Sequence, residues 1–305
     1  MVRTQVLNAF MVLLIAGSAA CQDAAVRPGD SGGIPFDKAR AFGFLETQVA
    51  FGPRVPGTEA HDAAREFLAG QLRNSSAHVS LQPFTGMVDG REVAMQNILC
   101  SLYPEKTERV LLCAHWDSRS RADRDPDPAN HAKPVPGAND GASGVAVLLE
   151  TAAAIASQEP ELGVDIVFFD GEDGGDYNAS ETWLLGSRHF ARVMPAGYRP
   201  RWAILLDMIG DRNLNLSRDY QSMNAAPALW GRLEEACAAQ GVPIDAQTIS
   251  VLDDHVPLIE RGIPAVDLID FDYPAWHTVG DTPDKCSPES LEKIGRIVLA
   301  LVYEE

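Results

Sequence analysis

The sequence is short of positive charge: 25 lysines and arginines stand against 43 aspartates and glutamates, a formal net charge of −18. That balance argues against nucleic acid or an anionic membrane surface as the main partner, and it suits neutral or cationic ligands. Cysteine is scarce as well. The five cysteines make no CxxC pair and no Cys/His cluster, which excludes the usual thiolate zinc modules. There is no HExxH motif, no internal repeat and no second domain boundary. The apolar run at residues 10–16 is too short to span a bilayer comfortably. What remains is a composition with 46% hydrophobic and 22% charged residues over 305 positions, which fits one large α/β domain and not a disordered chain.

The first residues read as an export signal. Arg3 precedes the apolar run, and Gly17, Ser18, Ala19 and Ala20 lead into Cys21. Small residues before a cysteine resemble a bacterial lipoprotein cleavage site, with Ser18 where such signals usually carry Leu; plain cleavage after Ala20 is the alternative. The expectation is a signal peptide at 1–20, a tether at 21–35 after a lipidated Cys21, and one catalytic domain at 36–305. The protein is then exported, either periplasmic or held at a bacterial membrane only through its N-terminal lipid. Cys100, Cys113, Cys237 and Cys286 are even in number, and both bridges and buried thiols stay open.

Apolar residues recur at helical spacing over 37–48 and 58–72, with Gly52, Pro53, Pro56 and Gly57 between. Thr58 predicts an N-cap, and His61 at the third position leaves no capping box. Strand-like runs follow at 78–84, 93–102 and 109–114, the last continuously apolar as in a strand buried on both faces. Helix, strand, helix and strand alternate through 145–156, 164–169, 186–194 and 202–206. Helices at 226–239 and 254–261, a strand at 265–269 and a helix at 287–303 complete the chain. The pattern predicts an α/β fold, three-layer αβα, around a central mixed, mostly parallel sheet.

Open α/β sheets carry their chemistry at the carboxyl ends of strands, and there the sequence places ligand-type side chains. Residues 110–114 deliver His115, 164–169 lead to Glu172 and Asp173, and 203–206 end at Asp207. Asp140 lies in the glycine-rich stretch before a helix, and His277 follows Trp276 in a late loop. Taken singly, each is more often a surface residue or a capped turn than a ligand. Their convergence on one sheet edge is the argument. Imidazole with carboxylate suits zinc. Because neighbouring side chains diverge, one acid of the Glu172-Asp173 doublet can bind a metal while the other handles protons. The loop at 118–137 alternates Asp123, Asp125 and Asp127 but lacks the glycine and closing Glu of a calcium loop, so a solvated loop is expected.

Residues 36–303 resemble the zinc-dependent aminopeptidase superfamily (phosphorylase/hydrolase-like fold), and within it the animal-type glutaminyl-peptide cyclotransferases, or glutaminyl cyclases, that bacteria also possess. The resemblance rests on His115-Trp116-Asp117-Ser118, the loop at 125–131, Gly137 to Gly144, Phe168 to Asp173, Gly186-Ser187-Arg188, Leu206 to Gly210, Asp253-Asp254-His255 and Trp276-His277-Thr278. It implies one zinc ion held by Asp140, Asp173 and His277, with Glu172 as proton shuttle. Asp207 and Asp253 would hold Glu172 in a carboxylate hydrogen-bond network, and Trp276 would wall the substrate site. The implied substrates are peptide or protein N-termini, whose glutaminyl residue becomes pyroglutamate with release of ammonia. The alternative is a dinuclear zinc aminopeptidase hydrolysing N-terminal residues, in which His115, Asp207 and a bridging Asp140 hold a second ion. Two positions depart from the animal pattern: Asn178 replaces an aromatic lining residue, for which Tyr177 is a candidate substitute, and Asp267 replaces a His. A degenerate, non-enzymatic member is disfavoured because all three implied ligands and the acid are intact.

Overall fold

The structure is a computed structural model that describes residues 33–76 and 78–304. The expected signal peptide, Cys21 and nearly all of the tether lie outside the described residues. Ile34 and Phe36 are buried in the main core, so the packed chain already begins within the stretch expected as a tether.

Helix α1 (Lys38–Ala50) starts at Asp37, whose carboxylate accepts the N–H groups of Ala39 and Arg40. Helix α2 (Glu59–Ser75) starts at Thr58, whose hydroxyl accepts from His61 N as its sequence predicts. A hairpin of β1 (Val79–Val88) and β2 (Arg91–Leu102) follows, then β3 (Arg109–His115), α3 (Ala142–Ser157), β4 (Gly163–Phe169), α4 (Leu185–Val193) and β5 (Ala203–Asp207). Next come β6 (Leu216–Asp219), α5 (Tyr220–Ala225), α6 (Pro227–Gln240), β7 (Ile244–Ile249), α7 (His255–Glu260), β8 (Ala265–Ile269) and α8 (Pro288–Tyr303). The main sheet runs β1-β2-β4-β3-β5-β8. Its β4, β3, β5 and β8 are mutually parallel, while β1 and β2 pair antiparallel at one edge. The expected three-layer mixed α/β architecture is therefore present.

The apolar runs have a simple cause. In β3, Leu112 and Ala114 join Ile166, Phe168, Ile204 and Leu206 on the face covered by α1, α2, α3, α6 and α8. Leu111 and Cys113 join Val167, Phe169, Ala203 and Leu205 on the opposite face, under Phe190 of α4 and Leu258 of α7. Alternate residues thus enter two different cores, so these strands read as nearly continuous apolar runs; Asp165, the one charged residue inside β4, is paired with Arg109. The sequence did not reveal the small parallel sheet of β6 and β7, because β7 is largely exposed and carries little apolar pattern.

Cys100, Cys113, Cys237 and Cys286 are all free and buried. Burial pushes Cys100 and Cys237 up to about 12, which keeps them as unreactive core thiols. Among the described residues no helix is long and apolar enough to cross a membrane.

Candidate active site

Four parallel strands release their carboxyl ends on the same side of the sheet. β3 ends in His115 and β5 in Asp207, β4 hands over to the turn carrying Glu172 and Asp173, and β8 precedes the loop that carries His277. Asp140 sits one residue before Gly141, the residue ahead of α3. Gly141 has φ +90, and a Cβ there would lie 2.7 Å from the Asp117 carbonyl oxygen and 2.9 Å from the His115 ring. Only glycine lets the helix begin this close to two strand ends. Farther along α3, a Cβ at Gly144 would lie 2.2 Å from the Leu206 carbonyl oxygen, so α3 lies directly on β5.

These elements gather two buried donor groups that share Asp140: Asp140–Asp173–His277 and His115–Asp140–Asp207. In the first, His277 Nε2 is 3.0 Å from Asp173 Oδ1 and 3.5 Å from Asp140 Oδ2. In the second, His115 Nε2 is 3.1 Å from Asp140 Oδ1 and 3.2 Å from Asp207 Oδ1. Zinc bonds of about 2.0–2.2 Å imply tetrahedral ligand–ligand edges of about 3.3–3.6 Å. Both groups are close to that scale. Asp140 Oδ2 and Asp173 Oδ2 are buried without a hydrogen-bond partner, and each such oxygen costs about 1–3 kcal/mol or more if nothing meets it. Two orphaned carboxylate oxygens beside an imidazole fit a bound cation.

The surrounding residues hold these donors in place. Asp117 accepts the backbone N–H of both Glu172 and Asp173, at 3.1 and 3.2 Å, and so fixes the acidic doublet. Asp281 accepts from Asn139 N, Asp140 N and the Tyr273 hydroxyl. Fully buried Arg119 donates to the Asp173 carbonyl at 2.9 Å and to its Oδ1 at 3.3 Å. Arg54, also fully buried, ties the exit of β3 to the Gly137 turn through the carbonyls of Trp116, Pro136 and Gly137. The Tyr177 hydroxyl lies 2.6 Å from His277 Nδ1. His277 itself has φ +55, and Met208, directly after Asp207, has φ +48. Left-handed backbone at non-glycine residues stores about 1–3 kcal/mol each and clusters at functional sites.

The electrostatics are those of crowded, dehydrated acids. Burial pushes Glu172 well above the usual carboxylate range; Asp173, Asp253 and Asp254 push it further, and His115 opposes them. Asp253 is raised to about 7 by burial and by Asp207. Asp254 and Asp267 are raised well above the ordinary value, in both cases chiefly by burial and then by Asp253. Asp207 is raised by burial, with its hydrogen bond to His115 pulling the other way. Burial disfavours the His115 cation, yet the close carboxylates of Asp117, Asp140 and Asp207 raise it well above its ordinary value. The expected hydrogen-bond network around Glu172 is not formed by Asp207 and Asp253: Asp253 acts on Glu172 through space, while Asp207 is bonded to His115.

A cleft of about 250 Å³ opens over these groups, with Asp140, Glu172, Asp207, Asp253 and His277 at its polar side. Tyr177, Trp183, Phe271 and Trp276 form its aromatic wall. Trp276 stacks on His277 at 4.1 Å between centroids. Trp183, which sequence reasoning missed, lies parallel to the same imidazole at 6.1 Å. Asn178 is exposed and bonds to Asp176, while its neighbour Tyr177 lines the cleft. Asp267 lies below the cleft, 3.7 Å from His255 Nδ1. The Asp123–Asp127 stretch is not simply solvated: Asp125 is buried and accepts from Asp127 N, Asn130 Nδ2 and Val279 N. It straps the long loop to the one bearing His277. The bracing roles of Asp117, Arg119 and Asp281 also escaped the sequence reading, although Asp117 stood two residues after a suspected ligand.

The model of peptidase family M28 matches residues 97–302, from within β2 to nearly the end of α8. A glutaminyl-peptide cyclotransferase-like protein of Bos taurus is 28% identical over 284 residues, covering 82% of this chain and 72% of its own length. The crystal structure of Tannerella forsythia glutaminyl cyclase superposes with a TM-score of 0.84 at 39% identity, covering 88% of this chain and 99% of that one. A leucine aminopeptidase precursor from Bacteroides thetaiotaomicron gives 0.85 at 37% identity, covering 89% and 99%. On the family match and on this coverage, the chain belongs to peptidase family M28.

Proposed function

We propose that this protein is a glutaminyl-peptide cyclotransferase, converting N-terminal glutaminyl residues of peptides and proteins to pyroglutamyl residues with release of ammonia. The observation that carries this reading is Glu172: a buried acid, held high by burial and its neighbours, at the floor of a small aromatic cleft beside the donor cluster. An acid raised in this way is suited to take up and return one proton. The cyclase relatives support the reading.

The substrate's α-amine attacks its own side-chain amide carbon, forming the ring C–N bond while Glu172 takes the amine proton. The C–N bond to the side-chain nitrogen then breaks, Glu172 returns the proton, and ammonia leaves. Closing a five-membered ring makes positioning the main source of acceleration. Trp183, Phe271 and Trp276 fix the substrate in one pose and keep out water, which would divert the reaction to hydrolysis. Burial, and after it the charges of Asp173 and Asp253, keep Glu172 proton-hungry. Asp140, Asp173 and His277 would hold one zinc ion, whose chemistry when bound is Lewis-acid polarisation of the amide oxygen.

One observation favours a second reading. The His115–Asp140–Asp207 group has ligand spacing as good as the first, which in a dinuclear aminopeptidase would hold a second zinc. A single assay separates the two. Purified protein is incubated with a Gln-initiated and a Leu-initiated peptide and the products are weighed by mass spectrometry. Ammonia loss from the first with the second intact supports the cyclase; free leucine from the second refutes it. The reading extends to an exported enzyme lipidated at Cys21, for which loss of membrane association in Cys21→Ala is the test.

A further inference from the structure

Metal-bound histidines depend on what holds the nitrogen that does not bind metal, usually a carboxylate, a carbonyl or water. His277 turns Nε2 toward Asp173 and Asp140, so for Nε2 to offer a lone pair its proton must sit on Nδ1. The group at Nδ1 is the Tyr177 hydroxyl at 2.6 Å. The nearest carboxylate oxygen, Asp123 Oδ1, stands 3.8 Å away, outside hydrogen-bond range. A phenol oxygen is therefore the acceptor.

Tyr177 is half exposed, and the structure shows what keeps it in place. The Arg124 guanidinium lies over the Tyr177 ring at 4.5 Å and over the Trp276 ring at 5.3 Å. Its Nε donates to the Tyr177 hydroxyl oxygen at 3.3 Å, and its backbone N–H donates to the His277 carbonyl at 3.2 Å. One arginine thus fastens the backbone of the ligand, the aromatic residue before it and the phenol that meets its ring. His277 needs such fastening because it sits on a loop with left-handed backbone.

We propose that Tyr177 and Arg124 are a positioning pair that sets the tautomer and ring orientation of His277, and through it the affinity for metal. The proposal rests on the metal assignment of Asp140, Asp173 and His277. Tyr177→Phe keeps the ring and removes only the acceptor. It should weaken zinc binding about 10- to 100-fold, read by competition with a chromophoric chelator, with the thermal midpoint of the metal-free protein unchanged. Arg124→Met should weaken zinc in the same direction by less. His277→Ala, measured alongside, should abolish tight binding. If His277→Ala binds zinc normally, the metal assignment itself fails. If it loses zinc while Tyr177→Phe stays within about twofold of the parent, only the positioning proposal is overturned. Equal losses in zinc affinity and in metal-free stability would also overturn it, since Tyr177 would then be holding the loop and not the ring. Unchanged affinity in Arg124→Met removes Arg124 from the pair.

Discussion

The two donor groups share Asp140 and have nearly the same spacing, yet they are built differently. Around Asp140–Asp173–His277 each donor has a fixed neighbour: Asp281 on Asp140 N, Asp117 and Arg119 on Asp173, and Tyr177 on His277 Nδ1. Around His115–Asp140–Asp207 the outer nitrogen of His115 is buried without a hydrogen bond, 3.5 Å from Asp117 and 4.0 Å from Glu172. The three acids around His115 raise its affinity for a proton. An imidazole that favours its proton can offset the acids of the second group, whereas in the first Asp140 Oδ2 and Asp173 Oδ2 have no hydrogen-bond partner. Preorganisation of outer contacts, more than ligand type, distinguishes a metal site from an acid–imidazole cluster.

The largest expected effect breaks the first group. His277→Ala and Asp173→Ala should lose zinc and all measurable turnover; metal content by mass spectrometry is the check, and normal zinc in either variant contradicts the ligand set. Glu172→Gln should keep zinc while kcat falls about 10²- to 10⁴-fold, so parent-like turnover there removes the proton shuttle. His115→Ala probes the second group. It should retain one zinc per chain but lose about 3–5 kcal/mol of stability in denaturant titration, because two buried carboxylates lose their partner.

The smallest effect is on pH dependence in the metal-free protein. Asp253 and Asp281 are both raised to about 7, chiefly by burial, with Asp207 and Asp140 respectively adding to it. In the unfolded chain these acids titrate near 3.8. Between about pH 4 and 7 the folded protein therefore holds protons that the unfolded chain has released, and stability must fall as pH rises through that window. Thermal midpoints across that range, with and without zinc, should show the fall in the metal-free protein and a flatter profile once the cation offsets the acids; a rise with pH contradicts the burial argument.

Much of this was legible in the sequence because strand ends are legible. The unbroken apolar runs ending at His115 and Asp207 gave the strands, and the side chains that followed gave the donor set. What could not be read acts at long range on backbone. Asp281 reaches the N–H of Asp140 from 141 residues away, and Asp117 reaches Glu172 across 55; no local pattern marks such bonds. Trp183 lies in a turn without periodicity, and Asp125 resembled a solvated acid until Val279 N was found on it. The second parallel sheet was missed for the opposite reason, since β7 has too little apolar pattern to announce itself.

The most direct test loads the metal-free protein with one and then two equivalents of zinc and follows a Gln-initiated and a Leu-initiated peptide by mass spectrometry. Full ammonia release from the Gln peptide is expected at one equivalent, with no gain at two and an intact Leu peptide throughout. Release of free leucine that appears only with the second equivalent would show that the His115–Asp140–Asp207 group is a working metal site and that the enzyme is a hydrolase.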